Sequence, residues 1–178
     1  MNSKPINKKI LYLFDILFFL LIVAGDRVSK YFAVRKLKDH PSISVINKVL
    51  ELHYIENNGA AFGLLKNQLS FFILVAVVVL FAVFYILIKT PSRKKYVSMH
   101  MLLIMISGGA VGNLIDRIAY RYVVDFIYFS CINFPVFNVA DIFVTVGCAL
   151  LIIFFIFVYK EDDLFFLNFN EKKLRDIR

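Results

Sequence analysis

Residues 69–88 read LSFFILVAVVVLFAVFYILI, without a charged side chain, glycine or proline. Crossing the hydrocarbon of a bilayer takes roughly 20 residues of helix, and this run supplies them unaided. Working outward, three more apolar blocks occupy 97–115, 10–25 and 142–159. The block at 97–115 also reaches spanning length alone. The one at 10–25 is short and carries Asp15, and the one at 142–159 is slightly short, so interfacial residues must extend both. The spans are therefore expected at about 10–26, 69–88, 97–117 and 140–159. Outer loops at 26–68 and 118–139 separate them, and a cytoplasmic tail fills 160–178, all within a single integral-membrane domain (1–178).

Composition agrees with that division. The 178-residue chain is 60% hydrophobic with a mean hydropathy of +0.74, against roughly 45–50% apolar residues in soluble domains. The excess is concentrated in the blocks, so it does not describe one large soluble core. The net charge of +8 sits beside the blocks, a pattern of membrane orientation and not of nucleic-acid binding, for which there is no basic stripe on a recognisable fold. Lys4, Lys8 and Lys9 precede the first block. Lys89, Arg93, Lys94 and Lys95 join the second to the third, and Lys160, Lys172, Lys173, Arg175 and Arg178 follow the fourth. The positive-inside rule places these segments, and both termini, in the cytoplasm. The first outer loop is also basic, but it is long, and long translocated segments weigh less. The first block has a basic lead-in but no small-x-small cleavage site, so it is expected to be a retained span. Cys131 and Cys148 have no partner at metal-ligand spacing and are expected to pack as small apolar residues.

Outside the membrane, residues 49–55 partly alternate apolar and polar, as a half-buried strand does. Asn57-Asn58-Gly59 supplies a turn, and the run to Gly63 suggests a short interfacial helix. Residues 120–129 are dense in β-branched and aromatic types and predict a second strand. The fold class is thus a mainly α membrane protein: four transmembrane helices, a small extracytoplasmic β-sheet and an interfacial helix. Phe165, Phe166 and Phe169 suggest an interfacial or frayed tail.

Chemistry is concentrated at the outer end of the bundle. Gly108-Gly109-Ala110-Val111-Gly112 permits close helix contact, and Asn113, Asp116 and Arg117 follow at spacings that share one side of a helix end. Asp125 interrupts an apolar strand. Asn138 is a good N-cap with Asp141 three residues on, a capping-box variant. The loop between Asp125 and Asp141 contains Pro135 and can fold back, so the two carboxylates can converge. Two such groups a few ångströms apart do not both ionise easily and retain one proton near neutrality. The ionised member then draws a proton from water while the protonated one protonates a scissile carbonyl oxygen, the scheme of aspartic proteases, with neither metal nor cofactor. His40, His53 and His100 are scattered, and neither a His-Glu-x-x-His motif nor a Gly-x-Ser-x-Gly elbow occurs. The rival from another class is a small transporter or lipid-binding scaffold using the aspartates as an ion relay, but such sites lie near the bilayer midplane, where spans two to four lack acids.

The motifs together resemble bacterial lipoprotein signal peptidase, also called signal peptidase II. They are Asp26-x-x-x-Lys30, Asn57-x-Gly59-x-Ala61-Phe62, Gly112-Asn113-x-x-Asp116-Arg117, Val123-x-Asp125 and Phe137-Asn138-x-Ala140-Asp141, in the family's order. The resemblance implies an aspartyl endopeptidase that removes signal peptides from prolipoproteins, cutting just before a diacylglyceryl-modified cysteine. It implies Asp125 and Asp141 as the catalytic pair. It also implies that Asn57, Gly59, Asn113, Arg117, Asn138 and Ala140 line or hold the site, with Asp26, Lys30 and Asp116 as polar supports. The implied partners are the prolipoprotein, membrane lipids and globomycin-type inhibitors, with a monomer in the bacterial inner membrane and the site at its outer face. Asp15 is outside the family pattern and is expected either to face the bundle or to sit near the cytoplasmic boundary, as a snorkelling or protonated bystander.

Overall fold

The computed structural model of the chain describes residues 3–59 and 67–167. The interfacial helix, Ala61, Phe62 and Phe169 expected from the sequence lie outside those residues. Helix α1 (Lys8–Leu37) begins at Asn7, whose side chain accepts from the Lys9 N–H at 3.0 Å. Its polarity is reversed relative to a soluble helix. Leu11, Asp15, Ile22, Asp26, Lys30, Ala33 and Leu37 recur at helical spacing and are buried, whereas Ile10, Leu13, Ile16, Leu17, Leu20 and Leu21 point outward. A bilayer requires of a charged span that its charges face the bundle, and α1 meets that condition. It also continues well past the expected end at 26. Its last turns lie under the outer sheet, where Ala33 and Leu37 pack with Val124 and Phe126.

Helices α2 (Leu69–Lys89), α3 (Val97–Tyr120) and α4 (Val139–Phe157) are each, with α3 counted from Lys94, long and apolar enough to cross a membrane. The most buried is α3, which the others surround. Its small residues allow this: a Cβ on Gly109 would run into the Ala140 carbonyl of α4, and one on Gly112 would stand 2.6 Å from Asp26 Oδ2 of α1.

Strands β1 (Ile43–Ile46), β2 (Leu50–Asn57) and β3 (Val123–Tyr128) form an antiparallel sheet in the order β1-β2-β3. The first of these has no sequence expectation behind it. Helix α3 ends at Arg121 in the left-handed region (φ 68°), and the chain turns there directly into β3. At the opposite end Val83, Tyr96, Met99, Leu103, Ile106 and Tyr159 make a second core. The described part of the tail is clipped onto it: Lys95 pairs with Asp163, and the Tyr96 hydroxyl donates to the Asp163 carbonyl at 2.9 Å.

One expectation is corrected and one left open is decided. Both cysteines are exposed, so neither packs inside the protein; Cys148 is on an outward face of α4, where a lipid-facing thiol needs no partner. Of the two placements expected for Asp15, the structure has the one facing the bundle. Asp15 is buried with its Oδ2 2.8 Å from His100 Nδ1 of α3, a partner that separation in sequence concealed.

Candidate active site

Register brings the first pair of site residues together. Ile55 faces Asp125 and Asn57 faces Val123 across β2 and β3, so Asn57 and Asp125 share a face as diagonal neighbours. The Asn57 amide donates to Asp125 Oδ2 at 2.8 Å, and its carbonyl oxygen accepts the Gly59 N–H at 2.9 Å, closing the turn. The loop after β3 then folds back. Ile127 and Phe137 exchange backbone hydrogen bonds of 2.8 and 3.0 Å, which places Asn138 beside Asp125.

Asn138 does two jobs at once. As N-cap of α4, its Oδ1 accepts the Asp141 N–H (3.0 Å), and Asp141 Oδ2 accepts the Asn138 N–H (3.1 Å), a reciprocal capping box. Its Nδ2 meanwhile donates to Asp125 Oδ1 (2.6 Å) and to Asn113 Oδ1 (3.1 Å). Asn113 in turn donates to Asp141 Oδ1 at 2.7 Å. Each carboxylate is thus held by an amide, and the amides are held by one another.

The three residues expected on one side of α3 divide between two. Asn113 and Arg117 line the cleft, while Asp116 is fully buried against α1, where the 100° step of the helix turns it away. There Asp116 joins Asp26, Arg27 and Lys30. Lys30 Nζ is 3.1 Å from Asp26 Oδ2 and 2.8 Å from Asp116 Oδ2, and it also donates to Asn113 Oδ1 at 2.9 Å. Asp26 Oδ1 accepts the Ala140 N–H, which gives Ala140 its place in the site.

The cleft measures about 520 Å³ and is lined by Asp125, Asp141, Asn57, Asn113 and Arg117, with Phe72 of α2 facing Ile142, Thr145 and Val146 of α4. Arg117 rests over the Phe72 ring, 4.8 Å from its centroid, a cation–π contact that aims a positive charge into a mostly apolar slot. Asp125 is 2% exposed. Burial, reinforced by the neighbouring Asp141 charge, pushes its carboxyl up to about 6 against the opposing pull of Asn57, Asn138 and Lys30. A carboxyl raised this far lies close enough to neutrality to exchange its proton with a substrate. Among the described residues there is no cluster of three or more metal-ligating side chains. Arg27 and Phe72 are additions that the sequence reading lacks. An arginine directly after Asp26, where an apolar run ends, is the available signal for the first; a phenylalanine in an apolar span gives none.

Comparison with known proteins bears on this constellation. A family model described as signal peptidase (SPase) II matches residues 18–157. The lipoprotein signal peptidase of Clostridium tetani is 43% identical over 152 residues, 83% of this chain and 94% of that protein. That of Clostridioides difficile is 41% identical over 143 residues, 80% and 94% respectively. A solved bacterial membrane enzyme, determined by the in meso method, superposes with a TM-score of 0.75 at 30% identity, over 90% of this chain and 98% of the other. With four α-helices among the described residues, a small sheet at one end of them, and a protease family matched across most of its length, this membrane-embedded chain belongs to the signal peptidase II family.

Proposed function

We propose that the protein cleaves signal peptides from prolipoproteins on the N-terminal side of a diacylglyceryl-modified cysteine, with Asp125 and Asp141 jointly activating water. The observation that carries this is the shared cleft: both carboxylates face one slot with apolar walls, each oriented by an asparagine. The ionised member of the pair takes a proton from water as it attacks the scissile carbonyl. The protonated member gives its proton to the carbonyl oxygen, and collapse of the tetrahedral intermediate returns a proton to the departing amine. The proton belongs to the pair and not to one named residue. Phe72, Ile142 and Val146 suit a helical signal peptide and its lipid arriving from the bilayer, and Arg117 suits a polar carbonyl or ester oxygen of that substrate.

Charge around the spans supports both termini in the cytoplasm and the cleft at the outer face of the inner membrane. The partners are then the lipidated prolipoprotein, surrounding lipids and globomycin-type inhibitors, and the enzyme works as a monomer. A gel-shift assay with a diacylglyceryl-modified prolipoprotein tests the reaction. Wild type shortens the substrate, and Asp125→Asn and Asp141→Asn, folded and inserted, do not; turnover by either variant at the wild-type rate rejects the pair.

A further inference from the structure

Arg27 occupies an unspecified position of the Asp26-x-x-x-Lys30 motif, yet it makes more ionic contacts than a half-buried helical arginine needs. Its Nη1 donates to Asp116 Oδ1 at 2.6 Å, and its Nη2 donates to Asp26 Oδ2 at 2.7 Å and to the Gly112 carbonyl at 3.0 Å. The second oxygens of those two carboxylates reach the catalytic elements. Asp26 Oδ1 accepts the N–H of Ala140, which precedes Asp141, and Asp116 Oδ2 accepts the N–H of Val124, which precedes Asp125, each at 3.2 Å. We propose that Arg27 is a positioning residue for the aspartate pair: by clamping Asp26 to Asp116 it fixes the backbone beside both members from outside the cleft.

Charge balance explains why Lys30 is not enough. Asp26 and Asp116 are both fully buried, and one ammonium between two desolvated carboxylates leaves an uncompensated charge, which is strongly unfavourable. Arg27 supplies the second positive charge and the planar fork that holds two carboxylates in fixed relation. Lys30 is then free to direct one of its donors to Asn113, and so to support Asp141. Arg27 itself is in a separate recess of about 260 Å³ with Tyr31, Val34, Tyr120 and Tyr122. It is not among the residues of the substrate cleft, so any effect on turnover is transmitted and not a matter of substrate contact.

The inference rests on the proposed reaction. The experiment compares wild type, Arg27→Gln and Arg27→Lys in detergent micelles on the lipidated prolipoprotein, measuring kcat and KM from about pH 5 to 9 alongside the folded fraction. Displacement of the pair by a fraction of an ångström lowers kcat of Arg27→Gln about 10- to 100-fold and leaves KM within about twofold. Among the described residues, the charged groups facing the pair are Lys30 from α1 and Arg117 from α3. With the cluster behind them one unit more negative, the pH–rate profile moves to higher pH. Arg27→Lys restores the position of the profile but only part of kcat, because the fork is lost. A folded Arg27→Gln enzyme with wild-type kcat and profile overturns the inference, as does a loss that merely tracks the unfolded fraction. Should Arg27→Gln not fold, Arg27→Lys decides: several-fold lower kcat is expected, and full kcat overturns it. An inactive wild type would overturn the proposed function and the inference with it.

Discussion

Replacing Asp125 with asparagine should make the protein more stable at pH 8 and less stable near pH 4. Asp125 is buried, and its carboxyl is raised from 3.8 to about 6. A carboxyl raised in the folded state binds its proton more tightly there than in the unfolded chain. Its contribution to stability is complete below about pH 4 and is lost as pH rises through 6. Above that, the native state carries a buried charge whose cost, at about 1.4 kcal/mol per pKa unit, is about 3 kcal/mol. The substituted amide never ionises, so the variant escapes this cost. It also turns one amide N–H toward a donor, Asn57 or Asn138, which costs about 1 kcal/mol at every pH. The difference is a gain of about 2 kcal/mol at pH 8, a loss of about 0.5 kcal/mol near pH 4, and a crossing at about pH 4.5. Titrating groups away from the pair are common to both proteins and cancel. Thermal unfolding of matched detergent-solubilised samples reads this directly, at about 2–4 °C per kcal/mol. A variant that melts below wild type at pH 8, or an offset that does not change between pH 4 and pH 8, would refute the assignment of burial as the dominant influence on Asp125.

Asn138→Ala should cost about 1–2 kcal/mol from the lost cap of α4 and abolish most turnover, since Asp125 loses a donor. Asn138→Ser restores the cap and the melting temperature but not the activity, and recovery of both would show that capping is its whole role. Arg117→Ala should raise KM and lower kcat on lipidated substrate while the protein stays folded; unchanged kinetics would remove the guanidinium from the substrate path. EDTA should leave turnover unaltered, and chelator-sensitive cleavage restored by added metal would contradict the two-carboxylate scheme.

Long uncharged runs make α2, α3 and α4 legible, because in a bilayer composition alone decides what spans. That Asp125 and Asp141 line one cleft is also foreshadowed, since a strand, a proline-containing loop and an N-cap leave few ways to connect them. What stays hidden depends on partners far along the chain. The length of α1 stays hidden because Asp26, Arg27 and Lys30 mark the end expected for a span and say nothing of where the helix stops. They turn inward onto α3, and the helix continues to Leu37 beneath the sheet. Asp116 falls with Asn113 by a spacing rule that specifies adjacency but not which neighbour a side chain chooses. Asp15 reads as a bystander because its partner, His100, is on a helix that pattern reading treats separately. The strand at Ile43–Ile46 is short and fully exposed, so no alternation marks it.

The inward polarity of α1 has a consequence for biogenesis. A ribosome delivers that helix to the insertion machinery long before α3 has been synthesised. At that moment Asp15, Asp26, Arg27 and Lys30 have none of their partners on α3, and an acid or base stranded at the centre of a lone helix costs roughly 2.5–3.5 kcal/mol. The first helix is therefore expected to complete its charge pairing only when His100 and Asp116 arrive. Topogenesis of this enzyme is in that sense a delayed pairing reaction, in which the later hairpin rescues the earlier one.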